Sequence, residues 1–434
     1  MPQLSLAELR QKHPRFVYET VHFEVIESSL IADFYFRLEP NIRFTSRFIF
    51  HNTDLELFSK LDQSLIRYWL FCIGMVEGLS YWKAACSPEF VVTAGFLDES
   101  QIAFFQKLLQ NGLSEFFFVN QIDGWQKDFV KIFSEVLPMA TLIDKNSHQE
   151  RAFVPVGGGK DSLVSLELLK KMGFAYTTFT LNATHQVEEL LKVVGTQQTL
   201  SVTRQLDPQI LELNAQGYFN GHTPFSALLS FVATFTAYLF DCKYVVLSNE
   251  QSANEGNTLF LGKMINHQYS KSYEYEKDFR EFVRKYLSET IEYFSLLRPL
   301  HEIQIAKIFA HYPQYFSYFL SCNRGQKTGK WCGECPKCLF VYIMLSPFLS
   351  ETQLVNIFGQ NLLAKSELKP ILAELTGEVE CKSLECVGTR EETLAALHFG
   401  DEEYGGKKLL GSFSPQNFLP KPFIEALKKE IETT

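Results

Sequence analysis

Three consecutive glycines between an apolar strand pattern and an amphipathic helix pattern most constrain the fold of this chain. Residues 154–162 read VPVGGGKDS, and Leu163, Leu166 and Leu169 follow at helical spacing. A glycine-rich turn at a helix N-terminus exposes backbone N–H groups, and the missing side chains leave space for a ligand. The pattern therefore predicts an anion-binding turn at a strand–helix junction.

Two other phosphate loops do not fit this spacing. A Walker A loop needs glycine at Val154 and serine or threonine at Asp161, and a dinucleotide fingerprint beginning at Gly157 needs a small residue at Ser162. The segment instead resembles the SGGxDS-type loop of the ATP pyrophosphatases, with Gly157 in place of the first serine. The alternative is a plain strand–helix turn in which Asp161 or Ser162 is the N-cap.

An aspartate beside phosphates repels them unless Mg²⁺ lies between, so Asp161 predicts a nucleotide bound through Mg²⁺. The resemblance implies that the loop grips the β- and γ-phosphates of ATP, so that AMP and pyrophosphate leave. We expect the Lys160 side chain to face solvent. Asn249 and Glu250 follow an apolar strand pattern, and ligands of α/β folds bind at such strand ends, although an ordinary turn also explains them. The predicted nucleotide-binding residues are Gly157, Gly158, Gly159, Lys160, Asp161, Ser162, Asn249 and Glu250.

Alternating strand and helix patterns predict an α/β fold with a doubly wound parallel sheet of the ATP-pyrophosphatase (HUP-like) type. This core is assigned to residues 149–347, with strands at 152–156, 176–181, 199–202 and 244–247. Residues 1–148 are predicted to form an α+β N-terminal domain that binds substrate, and residues 348–434 a mainly helical region. Within the first region we expect strands between residues 16 and 50 and helices at 65–76, 102–109 and 129–136, the last ending at Pro138.

The charge balance limits the classes of partner. Lys and Arg number 41 and Asp and Glu 50, a net charge of −9, which argues against a general nucleic-acid binder. The first 16 residues contain no apolar signal segment. The uncharged stretch 213–240 is interrupted by Pro224 and by several hydroxyl residues, and it predicts a buried helix rather than a membrane span. We therefore expect a cytoplasmic protein without membrane or nucleic-acid partners; its oligomeric state is not predicted.

Four of the nine cysteines fall in one short segment with the spacing C-x9-C-x2-C-x2-C, namely Cys322, Cys332, Cys335 and Cys338. Four thiolates at this spacing predict a closed tetrahedral Zn²⁺ site of structural type. Four free thiols or a redox pair are the alternatives. An odd number of cysteines spread over a long chain also indicates a reduced, intracellular protein.

The glycine loop and the cysteine cluster together resemble the cyano-deazaguanine synthases, which are zinc-containing ATP pyrophosphatases. A closer resemblance, spanning about residues 65–400, is to the UDP-N-acetylmuramoyl-L-alanyl-L-glutamate epimerase (MurL) family. Gln251, where the resemblance leads us to expect arginine, is a departure from it. The segments that carry this resemblance occur in one order: 79–86, 115–120, 157–165, 220–224, 247–253, 266–271, 294–300, 321–338 and 386–388.

This resemblance implies that the terminal L-glutamate of a cytoplasmic, nucleotide-linked peptidoglycan precursor is inverted to D-glutamate with ATP and Mg²⁺. A Cα–H beside a carboxylate is a very weak acid, and conversion to an acyl-adenylate removes the negative charge and creates an electron sink. A general base can then remove the proton. The alternative is a ligase that amidates or thiolates an adenylated small molecule.

Cys386 is a candidate base because Thr389 and Glu392 form a capping box, so the thiol lies just before a helix N-terminus. His267 and Tyr269 are rivals, and Asp161 is counted as catalytic through the metal. An inert buried cysteine is the alternative for Cys386. The predicted substrate-binding residues in or beside the family-like segments are Lys83, His222, Lys271, Arg298, Arg324 and Arg390; for each basic residue alone, a solvated surface charge is the alternative.

Overall fold

The computed structural model describes residues 3–137 and 142–433. It is a mixed α/β structure with a ten-stranded central sheet and a separate two-stranded hairpin. Within the described ranges, six of the nine neighbouring strand pairs in the large sheet are parallel and three are antiparallel. The predicted α/β character and the mostly parallel sheet are therefore confirmed.

The strands, in chain order, are β1 Arg15–Ile26, β2 Ser29–Leu38, β3 Ile42–Phe50, β4 Glu89–Val92, β5 Lys131–Ser134, β6 Gln149–Pro155, β7 Tyr176–Leu181, β8 Thr199–Gln205, β9 Cys242–Leu247, β10 Thr258–Phe260, β11 Lys263–Ile265 and β12 Glu292–Ser295.

The helices of the first half are α1 Leu6–Lys12, α2 Leu55–Lys60, α3 Gln63–Glu77, α4 Leu79–Trp82, α5 Glu99–Gly112, α6 Ser114–Val119, α7 Lys160–Lys171, α8 His185–Val194 and α9 Gln209–Ala215. Those of the second half are α10 Phe225–Leu239, α11 Tyr273–Tyr286, α12 Glu302–Phe309, α13 Pro336–Leu345, α14 Glu351–Phe358, α15 Lys369–Thr376, α16 Arg390–Leu397, α17 Gly406–Leu410 and α18 Lys421–Thr433.

The order of the parallel strands creates a crevice for a ligand. The large sheet has the order β12-β9-β6-β7-β8-β3-β2-β1-β4-β5. From β6 the chain moves outward to β7 and β8, and it then returns to the other side of β6 to add β9 and β12. The strand order therefore reverses between β6 and β9, which is the point where ligands of open α/β sheets bind.

The sheet continues across the predicted boundary at residue 148. Strand β3, from the first region, pairs antiparallel with β8, from the second, in a register that places Phe50 opposite Val202. Phe50 and Val202 are both buried in one apolar core. The division into domains at residues 148 and 347 stays a prediction, but the two parts of the chain share one sheet.

Most of the predicted elements are present, and one is wrong. The four strands predicted for the core correspond to β6, β7, β8 and β9, and the helices predicted near residues 65–76 and 102–109 correspond to α3 and α5. The helix predicted at 129–136 is instead the strand β5, which pairs in parallel with β4. Ile132 is buried there, and pairing with an open sheet edge outweighs the helical spacing of four apolar residues. Pro138 lies outside the described residues.

The uncharged stretch forms the buried helix α10, as predicted. Its hydroxyl groups are satisfied inside the protein: Ser230 Oγ lies 2.7 Å from Tyr293 Oη, and Thr234 Oγ1 donates to the Ser230 carbonyl oxygen at 2.7 Å. No helix in the described part of the chain has both the length and the apolar character needed to span a bilayer.

A buried ion pair connects helix α3 to the parallel half of the sheet. Glu77 is fully buried at the end of α3, and its Oε2 accepts from Arg204 Nε of β8 at 2.9 Å. Ser46 Oγ of β3 donates to the other carboxylate oxygen at 2.7 Å. The carboxylate therefore links three elements on both sides of the β3–β8 junction.

Removal of this carboxylate tests the importance of the junction. Because Glu77→Ala leaves the largely covered Arg204 guanidinium without its carboxylate partner, we expect the free energy of unfolding to fall by about 3 kcal/mol. Urea unfolding followed by tryptophan fluorescence measures the loss. Glu56→Ala, which removes the exposed pair with Lys60, is the control, with an expected change below about 0.5 kcal/mol. Similar losses in the two variants would contradict the role of the Glu77 carboxylate as a buried link across the β3–β8 junction.

Candidate active site

The glycine loop lies where the strand order reverses, between β6 and α7, with Gly159 as the N-cap residue of α7. Gly158 has a φ of +93°, and a Cβ atom there would lie 3.1 Å from Val187 Cγ2 and 3.2 Å from the Leu320 carbonyl oxygen. The Leu320 N–H donates to the Gly158 carbonyl oxygen at 2.8 Å. Both the backbone conformation and the close approach of residue 320 therefore require glycine at position 158.

The other side of the loop is open. A Cβ atom at Gly157 would meet no described atom within 4 Å. Ser162 Oγ donates to the Gly159 carbonyl oxygen at 3.1 Å and so fixes the first turn of α7. The first N–H groups of a helix have no intrahelical partner, and the helix dipole favours negative charge there. The loop thus has the space and the donors that an anion requires.

Three carboxylates meet beside the loop. Asp161, Glu250 and Glu302 each offer an oxygen, and these atoms lie within 4.8 Å of one another. They follow β6, β9 and β12, so the carboxyl ends of three parallel strands supply them. Glu302 is missed by sequence reasoning because no strand is predicted at residues 292–295, although the same strand-end rule applies to it.

Lys160 does not face solvent, contrary to our expectation. It is 2% exposed, and its Nζ contacts both Asp161 Oδ1 and Glu302 Oε2. Burial opposes the charged form of Asp161, but Lys160 and then Lys337 outweigh it and lower the pKa of Asp161. The buried ammonium group of Lys160 therefore offsets part of the negative charge of the acidic cluster.

The other two carboxyl groups are harder to ionise. Burial, and next the charge of Asp161, raise the pKa of Glu250. Burial raises the pKa of Glu302 to about 7, with Lys160 opposing it and Asp161 adding to it. Oxygen ligands that repel one another in this way fit a hard divalent cation, which would relieve the repulsion.

A reactive thiol lies next to this cluster. Lys271 Nζ is 3.1 Å from Cys386 Sγ, and His267 interacts with the same sulfur. Burial alone would raise the pKa of Cys386, but Lys271 and His267, followed by Lys337, lower it to about 5. The predicted capping box of Thr389 and α16 is present, but the thiol owes its acidity to these cations.

His267 and His222 share a carboxylate that sequence reasoning assigns no role. Glu115 Oε2 accepts a hydrogen bond from His267 Nδ1 and lies 3.3 Å from His222 Nδ1. Burial lowers the pKa of His267, but Cys386 and Glu115 raise it to about 10. Burial and the neighbouring His267 lower the pKa of His222 to about 4. At neutral pH the first ring is therefore a cation and the second is neutral.

The ring of Tyr269 does not join this group. It contacts Tyr275 at a centroid distance of 6.0 Å, and it lines a cavity of about 440 Å³ together with Asn111 and Tyr273. Burial raises the pKa of its hydroxyl to about 12. These contacts do not support the predicted role of Tyr269 as an acid or base.

Arg298, predicted to bind substrate, is instead a buried support. It is 1% exposed; Nε donates to Glu276 Oε2 at 3.0 Å, and Nη1 donates to the Glu250 carbonyl oxygen at 2.6 Å. Its Nη2 donates to the Lys271 carbonyl oxygen. We therefore assign its guanidinium to positioning Glu250 and Lys271.

Three of the remaining predicted residues have hydrogen-bond partners within the protein. Lys83 is buried and donates to Thr223 Oγ1 at 2.7 Å, and burial lowers its pKa to about 8. Asn249 Nδ2 donates to Ser295 Oγ at 3.1 Å. Arg390 Nη2 donates to the Val379 carbonyl oxygen at 2.9 Å.

Arg324 is exposed, beside the cysteine cluster. Lys337 lies between Cys335 and Cys338 in the sequence, and it is buried. Sequence reasoning misses its positive charge, which acts on the acidic residues.

The four clustered cysteines converge as predicted. The sulfur of Cys335 lies 3.6 Å from that of Cys322 and 3.5 Å from that of Cys338, and the Cys332 and Cys338 sulfurs are 3.6 Å apart. A tetrahedral zinc ion with Zn–S bonds of about 2.3 Å places its sulfurs about 3.8 Å apart. The four sulfurs therefore fit such an ion after small movements.

Comparison with known proteins identifies the family. Residues 7–296 match the MurL N-terminal domain, and residues 318–413 match the MurL C-terminal domain. The chain is 35% identical, over 77% of its length and 75% of the relative's, to the UDP-N-acetyl-alpha-D-muramoyl-L-alanyl-L-glutamate epimerase of Xanthomonas oryzae pv. oryzae. It is 38% identical to the protein of the same name from a Micromonospora species, over 75% and 73% of the two chains. The chain therefore belongs to the MurL family and is an epimerase, an enzyme of the isomerase class.

Proposed function

We propose that this enzyme converts the terminal L-glutamate of UDP-N-acetylmuramoyl-L-alanyl-L-glutamate to D-glutamate in cytoplasmic peptidoglycan precursor synthesis, using ATP and Mg²⁺. One observation carries the proposal. Lys271 lies against the Cys386 thiol and acts electrostatically on Asp161 and Glu250. A site for carboxylate activation and a base for the Cα proton are thus neighbours.

The nucleotide is proposed to bind as in the ATP pyrophosphatases of the PP-loop class. Residues Gly157, Gly158, Gly159 and Ser162 present the backbone and hydroxyl donors for phosphate at the start of α7. Asp161, Glu250 and Glu302 would hold Mg²⁺, which supplies charge neutralisation for the phosphates when it is bound. The order of the five parallel strands supports this assignment, since it is the order of doubly wound nucleotide-binding folds.

Activation explains why an epimerase uses ATP. The proposed first step is attack of the glutamate carboxylate on the α-phosphorus, which gives an acyl-adenylate and releases pyrophosphate. The acyl-adenylate lacks the negative charge of the carboxylate, so the Cα proton becomes acidic enough for a protein base. Hydrolysis after inversion returns the carboxylate and releases AMP.

Cys386 is proposed as the base that removes the Cα proton. The neighbouring cations keep its pKa near 5, so it is a thiolate at neutral pH. Lys83 and Glu115, which lie in the N-terminal region 1–148, reach this part of the site, consistent with a role of that region in substrate binding. The excess of acidic residues gives no support for a nucleic-acid partner.

A single assay tests the proposed reaction. With the muramoyl dipeptide, ATP and Mg²⁺ in D₂O without ammonia, we expect deuterium at the glutamate Cα, D-glutamate after hydrolysis of the product, and one AMP for each turnover. Because the phosphates need a metal partner, EDTA should abolish AMP release. Chiral chromatography and mass spectrometry measure the products. AMP formed only after addition of an amine or sulfur donor would instead favour the ligase.

Replacement of the thiol separates activation from deprotonation. We expect Cys386→Ala to slow Cα–H exchange by about 10²–10⁴-fold, the usual contribution of a general base, and to retain substrate-dependent exchange of pyrophosphate into ATP. In the native enzyme the exchange rate should fall as the pH drops below about 5, because protonation removes the thiolate. Cys381→Ala, which removes an exposed thiol, is the control. Full exchange in Cys386→Ala would eliminate Cys386 as the base.

The four-cysteine cluster is proposed to hold a structural zinc ion, since four sulfurs leave no open coordination position. We expect one zinc per chain by elemental analysis. Cys338→Ser should lose the metal and lower the melting temperature by about 5 °C or more, since metal binding contributes to folding. Cys242→Ser, at another buried cysteine, should keep the metal. Purified native protein without zinc would refute the site.

A further inference from the structure

The segment 115–120 places the carboxylate of Glu115 in the site. The proposed reaction assigns no role to this carboxylate. Glu115, in α6, accepts a hydrogen bond from His267 Nδ1 through Oε2, and the same oxygen lies 3.3 Å from His222 Nδ1. The two imidazole rings have centroids 4.8 Å apart. All three side chains are partly buried, so solvent screens their interaction only weakly.

The protein fixes this group from both sides. Asn120, at the end of α6, donates to the Asn220 carbonyl oxygen at 3.0 Å and so ties α6 to the loop that carries His222. Lys83 Nζ donates to Thr223 Oγ1 in the same loop at 2.7 Å. These polar contacts therefore help to determine the relative positions of the carboxylate and the neutral imidazole.

His267 lies between this carboxylate and the thiol. Its backbone N–H donates to Asn257 Oδ1 at 2.9 Å, which fixes the residue in its loop. Because Glu115 occupies Nδ1, the other ring nitrogen is left for the interaction with Cys386. The imidazole and Lys271 come from the same short segment, and both act on one sulfur.

We propose that Glu115 is a positioning residue for the deprotonation step, holding His267 in the orientation and the charge state that keep Cys386 as a thiolate. The proposal rests on the proposed function, because it assigns the thiolate to removal of the Cα proton. In the resting site the proton of Cys386 is already held on the second ring nitrogen of His267, and Glu115 accepts the Nδ1–H hydrogen bond. The thiolate then forms an S–H bond with the Cα proton, and the C–H electron pair moves into the activated carboxyl group.

A metal ion is a less suitable occupant of this group. Glu115, His222 and His267 are ligand types for divalent metals. However, Nδ1 of His267 donates a hydrogen bond to Glu115, and a protonated ring nitrogen has no lone pair to offer a metal.

Other charges also face the thiol, and they limit the expected effect. Lys271 and Lys337 favour the thiolate, whereas Glu385 opposes it. Because both lysines remain when Glu115 is neutralised, the thiol should lose only part of its stabilisation. We expect the apparent pKa of Cys386 to rise by about one unit in Glu115→Gln.

Alkylation of Cys386 measures this change without any enzyme activity. The full-length enzyme is treated with limiting iodoacetamide over a range of pH and then digested with trypsin. Cleavage after Lys382 and Arg390 places Cys386 alone in the peptide 383–390, and Cys381 falls in the peptide before it. The exposed Cys381 is the internal reference for reagent and digestion.

Glu385→Gln is the matched control, because it removes a carboxylate whose charge opposes the thiolate. It should leave the alkylation profile of Cys386 unchanged or move it to lower pH, opposite to Glu115→Gln. Below about pH 5, where the thiolate fraction falls with that shift, Glu115→Gln should also lower kcat for Cα–H exchange by nearly tenfold with KM within about twofold, and the loss should shrink towards neutral pH. Glu115→Asp, which retains the charge, should recover part of both effects. If Glu115→Gln does not fold, His267→Gln should show the same upward shift.

An unchanged Cys386 profile in Glu115→Gln, or in His267→Gln where that variant takes its place, would overturn the proposal. An equal upward shift in Glu385→Gln would overturn it too, because the shift would then reflect general loosening. If Glu115→Gln shows the expected shift but the native enzyme shows no Cα–H exchange, the effect of Glu115 and His267 on the Cys386 thiolate stands and the proposed reaction is rejected.

Discussion

Charge balance in a buried site is the constraint on which the rest of this structure depends. Lys160, Lys271 and Lys337 lie where three strand ends deliver carboxyl groups and a neighbouring segment delivers the Cys386 thiol. An unpaired charge in such a place costs several kcal/mol, so each lysine is needed to keep the acidic groups ionised. Burial and unrelieved repulsion still raise the pKa of Glu302 to about 7. A site so rich in acidic oxygens is suited to a divalent cation and its phosphate partner.

The sheet supplies the geometry that this balance requires. Strands β6, β9 and β12 are consecutive parallel neighbours, so the residues after them converge without long loops. Arg298 fixes the backbone of the two loops beyond the strands, because it binds Glu276 and the carbonyl oxygens of Glu250 and Lys271. A single buried guanidinium thus sets the spacing between the acidic cluster and the loop that activates the thiol.

The sequence predicts local features well and long-range pairing poorly. The glycine loop and the strand that contains Tyr244 are recognisable because spacing and composition within a short window determine them. Glu302 and Lys337 are missed because their importance comes from partners distant in the chain. The helix predicted around Ile132 is wrong for the same reason, since an open edge of the sheet decides the conformation there. Cys386 is recognised for its position before a helix, yet its acidity comes from cations that no local pattern reveals.

The cysteine cluster is connected to the thiol through one helix. Helix α13 begins between Cys335 and Cys338, and it carries Lys337, whose charge acts on Asp161 and on Cys386. The same helix packs closely against the segment that follows Cys386, because a Cβ atom at Gly388 would lie 2.5 Å from the Phe340 ring. An ion held by the four sulfurs would fix the start of this helix and with it the position of the lysine. A structural metal centre is therefore expected to influence both the acidic cluster and the proposed base, although it takes no part in the reaction.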